Sequence, residues 1–243
     1  MIAIVDIFSC PGNSTMREAG KQRNDPLLGG FYTVPEAARL LRIDDMKRIY
    51  RWLSDEEGAV VKRDYTPIGR SQELSFWDLF EVRFVEKFRA QGLSLQFLRR
   101  VAAKARSELK TQHPFALSGS KFLTDRKRIF RKTAEETGET THDVLSGQYE
   151  MYETIERVLA KGVEFNPKTL LAEEWPPYSG CPHVTINPRY AYGHPVIGEK
   201  RIPTAALYRQ WRAEKDVARV AKWYGVTANE VEEAIEFEVR LAA

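Results

Sequence analysis

The sequence predicts a mainly α-helical fold. An N-terminal winged helix-turn-helix is followed by a middle hairpin plus helix and a C-terminal trihelical, helix-turn-helix-like domain with a small β-hairpin. Three observations carry this expectation. Thr33 with Glu36, Ser75 with Asp78 and Thr227 with Glu230 each place an N-cap residue three positions before a carboxylate, opening an apolar run. Two short helical patterns separated by a sharp turn occur near each end of the chain. The extended runs between them are short and bounded by Gly or Pro.

Residues 1–30 read as an extended arm: Ile2 to Phe8 has strand character, and Ser9 to Gly30 is rich in Gly, Asn, Ser and Arg. Residues 31–112 form the first domain. Its first helix carries Val34, Ala37, Ala38 and Leu41 on one face, and the turn is Arg42-Ile43-Asp44. Asp44 or Asp45 then caps a second helix whose inward residues are Met46, Ile49 and Leu53. Lys47 and Arg51 lie opposite that face and Arg48 on its flank, which is how a helix-turn-helix presents a basic recognition helix. Ala59 to Arg63 and Glu73 to Phe76 are expected to pair as the wing, offering Lys62, Arg63 and Arg70 to flanking phosphates. Asp44 and Asp45 oppose this use, since carboxylates at that helix end repel phosphate. A helix from Ser75 to Gly92, then one capped by Ser94, completes the unit.

In residues 113–165, Lys121 to Thr124 and Arg128 to Phe130 read as a hairpin with the basic tip Asp125-Arg126-Lys127. Gln148 to Leu159 reads as a helix, with Met151, Ile155, Val158 and Leu159 on one face. Residues 166–185 contain Pro167, Pro176, Pro177 and Pro182, as a linker would. The last domain, 186–243, has a hairpin over Gly193 to Pro203 and helices over Thr204–Trp211, Asp216–Trp223 and from Thr227 onward. On the final helix Val231, Ala234, Ile235 and Val239 form the packing face. Glu230, Glu232, Glu233, Glu236 and Glu238 are expected on its surface, a charge that suits protein contacts better than phosphate.

Composition narrows the class. The chain has 243 residues, 43% of them apolar and 29% charged, with a net charge of +3. That is ordinary for a soluble globular protein and too weakly basic to argue for nucleic acid alone. Two cysteines make no disulfide framework, so a cytoplasmic location fits. No apolar run approaches the roughly 20 residues of a membrane span, and the first residues lack a basic leader.

The order of helix-turn-helix, wing and LSFWDLFEVRFVEKFRAQGLSLQFLRRV resembles the DNA-binding domain of MerR-type regulators. The terminal run, with GHPVIG, then RIP, then Tyr224-Gly225-Val226-Thr227, resembles the small trihelical domain carried by many antitoxins. HPFALSGSKFLTDRKRIF is similar to a segment of the same group, so nearly the full length resembles the long VapB-type antitoxins of toxin–antitoxin pairs. The resemblance implies a DNA-binding repressor of its own operon that neutralises a PIN-type ribonuclease toxin. Arg17, Lys21 and Arg23 of the arm, with Arg126, are then candidate toxin contacts.

No catalytic pattern emerges. Gly193 to Lys200 departs from a phosphate loop at Glu199 and Pro195. Cys181, His183 and His194 lack a fourth zinc ligand, so no metal or cofactor is expected. His113 and His142 have no acidic or nucleophilic companion in a catalytic pattern. Two readings stand: a DNA-binding antitoxin, or a non-catalytic interaction scaffold or stand-alone MerR-like regulator. Pairing of two copies would let each read one half-site about 34 Å from the other. Tyr190, Tyr192, Val196, Ile197 and Ile202 are the candidate homodimer face; the alternative is that they pack within one chain.

Overall fold

The computed structural model describes residues 29–54, 59–66, 72–137 and 157–242. Helix α1 (Val34–Leu41) starts where the sequence predicts: Thr33 accepts from the Glu36 N–H, and the Glu36 carboxylate accepts from the Thr33 N–H at 2.8 Å. It stops at Arg42, whose backbone is left-handed (φ 56°). Asp45 caps α2 (Met46–Trp52) by accepting from the Lys47 N–H at 3.0 Å. Ile49, Trp52 and Leu53 point inward, whereas Met46 is 44% exposed, so the buried face begins one turn later than expected.

The extended runs do not form the expected hairpin. Strand β1 (Tyr32–Thr33) pairs antiparallel with β4 (Glu73–Leu74), while β2 (Leu53–Ser54) pairs in parallel with β3 (Val61–Lys62). Each pairing sets two buried side chains opposite one another, Tyr32 with Leu74 and Leu53 with Val61. Burial of these side chains decides the pairing, and for β1 the partner is remote in sequence.

Ser75 and Asp78 form the capping box of α3 (Phe76–Ala90), and Ser94 caps α4 (Leu95–Leu109). Next, residues expected as a hairpin with a basic tip form α5 (Gly119–Thr137). Buried Arg126, Ile129, Phe130, Thr133 and Ala134 recur at the three- and four-residue spacing of a helix face. Phe130 meets Phe97 edge-on at 5.1 Å and Phe88 at 5.3 Å, which docks α5 on α3 and α4. Of the helix expected over 148–159, residues 157–160 are helical and the rest lies outside the described residues.

The expected linker is part of the packed structure. β5 (Glu164–Phe165) pairs with β6 (Ala172–Glu174), and Trp175 bridges to Ile186. Leu171, Ala172 and Trp175 enter the first core, and Cys181 and Val184 the second. Prolines here punctuate short strands rather than free a connector. β7 (Val184–Thr185), β8 (Val196–Ile197) and β9 (Ile202–Pro203) make an antiparallel sheet that includes the expected β8–β9 hairpin. Helices α6 (Thr204–Glu214), α7 (Val217–Tyr224) and α8 (Ala228–Ala242) follow, with Gly225 (φ 64°) as the left-handed stop after α7.

Two apolar cores result. The larger runs from Tyr32 to Ile186, and the smaller gathers Ile197, Leu207, Val220, Val231, Ala234 and Phe237 with Cys181 and Val184. β1 also meets the segment before β8. The Phe31 N–H donates to the Tyr192 carbonyl at 2.9 Å, and the Tyr32 hydroxyl to the Gly193 carbonyl at 2.7 Å. Gly193 has φ 85° and lies against the Tyr32 ring, where a side chain would collide. No helix among the described residues is long and apolar enough to cross a membrane.

Candidate functional site

The basic face of α2 is partly neutralised within the protein. Lys47 is exposed. Arg51 is also exposed but lies 3.6 Å from Asp45. Arg48 binds Glu86 of α3 at 2.8 Å and stacks over Trp52 at 5.2 Å, so it fastens α2 to the core. Lys62 is half-buried and Arg63 is buried, with their carbonyls accepting from the Gln112 amide. The surface that remains for phosphate is Lys47 and Arg51 rather than a continuous basic face. Arg70 lies outside the described residues, as do Arg17, Lys21 and Arg23.

Arg126 is 2% exposed, and its guanidinium donates to the Pro114 and Leu117 carbonyls at 3.0 and 3.2 Å. The basic tip foreseen there is absent because the segment is helical and Arg126 faces inward. Within the expected dimer face, Val196 and Ile197 are fully buried in their own chain and cannot pair with a second copy. The hairpin is covered by α6–α8, whose area the sequence reading undercounted. Tyr190 and Tyr192 are exposed, and Ile202 is half-buried.

Sequence reasoning missed the one cluster among the described residues whose His and carboxylate groups lie close enough to share an ion. His113 is fully buried, and Asp64 and Asp78, remote in sequence, are its acidic companions. His113 Nε2 lies 2.9 Å from Asp64 Oδ1, and Nδ1 lies 3.8 Å from Asp78 Oδ1. Asp78 Oδ2 also accepts from the Ser75 and Asp64 N–H groups at 2.9 and 3.2 Å, and Ser75 Oγ donates to Asp64 at 2.6 Å. Burial pushes the Asp78 carboxyl up to about 7, the Asp64 charge adding to the shift and His113 opposing it. Beside them, burial pushes Glu81 up to about 8 against the pull of Arg106, while Glu81 accepts from the Phe115 N–H at 2.8 Å. Arg106 itself holds the Ala59 and Val60 carbonyls at 2.8 and 2.7 Å.

Asp64, Asp78 and His113 are close enough to hold a metal ion. In this structure, however, the carboxylates are engaged within the protein: Asp64 by the Ser75 hydroxyl and His113 Nε2, and Asp78 by two backbone N–H groups. Ser75 donates to a carboxylate, not to the imidazole, so no nucleophile–base pair is formed. The arrangement is a buried clamp joining β3, α3 and the start of the 113–118 loop. Only the Ser75–Asp78 capping box was visible as a local signal.

In the second core Glu233, expected at the surface, is 8% exposed. Its carboxylate accepts from the His183 N–H at 2.6 Å and lies 2.7 Å from His183 Nδ1. The Cys181 thiol lies 3.7 Å from the Glu233 carbonyl, and burial pushes it up to about 11, which suits packing rather than nucleophilic use.

Among the described residues, the ionisable clusters around His113 and Glu233 are thus buried or at the edge of a core. Residues 184–237 match the DUF433 family, described as a protein of unknown function. Over 179 residues the chain is 28% identical to a Mycobacterium tuberculosis protein named "Putative antitoxin VapB45", covering 70% of this chain and 73% of that one. The fold is similar to the X-ray crystal structure of Rv2018 from Mycobacterium tuberculosis. That likeness has a TM-score of 0.65 and 23% identity, over 84% of this chain and 96% of the other.

Proposed function

We propose that the protein is a non-catalytic, DNA-binding antitoxin that neutralises a PIN-type ribonuclease toxin and represses its own operon. The similarity to the protein named "Putative antitoxin VapB45" carries this reading, because it spans most of both chains. The α1-turn-α2 unit supports the DNA-binding half, with Lys47 and Arg51 on its exposed face. Two-fold pairing belongs to the same reading, with Tyr190 and Tyr192 as the exposed part of the expected face.

The test has two arms. The upstream intergenic DNA is titrated with protein across a salt series, where each phosphate contact adds roughly 0.9 to the log–log slope. Lys47→Ala with Arg51→Ala should flatten that slope, and equal affinity in the double variant removes this face from DNA binding. A PIN toxin encoded beside the gene should co-purify with the protein, and co-expression should restore growth. Growth arrest that persists despite full expression of both counts against neutralisation. Light scattering on the full chain checks pairing, which Tyr192→Asp should weaken.

The second reading, an interaction scaffold without DNA affinity, is favoured by one observation. Asp45 engages Arg51 and Glu86 engages Arg48, leaving Lys47 as the cation of α2 with no carboxylate against it among the described residues. A salt-independent or undetectable gel shift would select it.

A further inference from the structure

A cavity of about 350 Å3 opens between α1, α3 and α8, where the two cores join. Its apolar lining includes Leu40, Leu41 and Leu241, partly exposed, with the edges of the buried Trp175 and Phe237 behind them. Five cations line it as well: Arg39 and Arg42 from the end of α1, Arg83 and Lys87 from α3, and Arg240 from α8. Glu86 is the acidic lining residue, and Arg48 already holds it at 2.8 Å. None of the five cations has a carboxylate partner among the described residues.

Arg83 is the most enclosed of them. It donates to the Leu159 carbonyl at 2.7 Å, and its guanidinium lies 4.6 Å from the centre of the Trp175 ring. Burial lowers it to about 10, with no carboxylate to offset the desolvation. Arg240 lies 3.5 Å over Tyr178, and Arg42 reaches the Arg240 carbonyl at 3.4 Å. Converging like charges beside a low-dielectric wall repel one another and concentrate field on the space between them. A partly apolar cleft of this volume with a few convergent charged groups has the form of a small-molecule site.

We propose that this cavity binds a small organic anion, its carboxylate or phosphate held by Arg83, Lys87 and Arg240 and its flat apolar body against the partly exposed Leu40, Leu41 and Leu241. A ligand there touches α1 of the first core and α8 of the second, so its binding stabilises their joint. The inference is independent of the DNA and toxin reading.

The test uses the full chain and three probes of one shape: 2-naphthoate, 2-naphthyl phosphate and the uncharged 2-naphthamide. Calorimetric titration should show at least one anion binding about tenfold or more tightly than the amide. Whichever anion binds more tightly identifies the preferred head group. Lys87→Glu, at an exposed position, should weaken that anion by about tenfold or more through like-charge repulsion, and Arg83→Gln should abolish its binding. If Arg83→Gln fails to fold, Lys87→Glu alone decides. Equal binding of all three probes, no binding of either anion at about 1 mM, or unchanged affinity in Lys87→Glu overturns the proposal.

Discussion

The two cores hold themselves together differently. The first surrounds an ionisable cluster, with Asp78, Glu81, His113 and Arg126 all buried among aromatic side chains. The second is smaller and apolar, with Glu233 at its edge paired to the half-exposed His183. Burying charges costs free energy unless every lone pair and proton finds a partner. The first core therefore depends on a network in which each loss strands another group. The second depends on packing area, which a unit of its size has little of to spare.

The largest expected effect comes from breaking that network. Asp78→Ala removes the acceptor of two backbone N–H groups and the carboxylate facing His113. Breaking one partner of a buried polar pair costs about 3–5 kcal/mol, to be read as a shift in the urea midpoint. A loss under about 1 kcal/mol would mean the cluster is solvated and the contrast between the cores is false. In the second core Leu207→Ala should cost about 2–5 kcal/mol by cavity formation alone. It should act first on Trp211 fluorescence, because Trp211 packs on that core. Coincident loss of signal from both cores would show that the β1–Gly193 contact makes them one cooperative unit.

A pH series separates the cores further. Asp78 and Glu81 titrate near 7 and 8 when folded, against ordinary values of 3.8 and 4.5. The folded state keeps their protons where the unfolded chain has lost them. Their contribution to stability is thus fully present below about pH 4 and falls as pH rises through about 8. His183 is raised by its bond to Glu233, so the stability it lends is also present at low pH and is lost through its folded value. That effect is small because its side chain is 58% exposed. Glu81→Gln keeps an acceptor for the Phe115 N–H and should flatten the decline in thermal midpoint between about pH 5 and 8. An unchanged slope would assign the pH dependence elsewhere.

What the sequence made legible follows the same division. The capping boxes at Thr33, Ser75 and Thr227 are local, set by residues three apart, and all three form. The same holds for the β8–β9 hairpin and the Gly225 stop. Residues 119–137 were misleading because Gly119-Ser120 and the charged Asp125 to Arg128 look like turns. The helical period of Ile129, Phe130, Thr133 and Ala134 becomes decisive only once α4 is there to bury it. The partner of β1, and the carboxylates around His113, are chosen by packing between segments remote in sequence. No spacing rule encodes them. On the candidate DNA face, side-chain position was legible but charge was not, since Glu86 is a turn of another helix away.

The smallest effect compares one local device in both regions. Thr33 and Thr227 each accept from the N–H three residues on, at 3.4 and 3.2 Å, and each receives a glutamate in return. Loss of such a cap costs about 0.5–2 kcal/mol. Thr227 is exposed, and its glutamate is held below the usual carboxylate range chiefly by the Thr227 N–H bond. Water can replace the hydroxyl there, so Thr227→Ala should fall near the low end, about 0.5 kcal/mol. Thr33 instead ends β1, half-buried opposite Glu73, where water has poorer access to the Glu36 N–H. Thr33→Ala should cost about 1–2 kcal/mol. Urea titrations of the two variants side by side measure the difference. Equal losses would show that burial does not amplify the cap, and that the fragility of the first core belongs to its ionisable cluster alone.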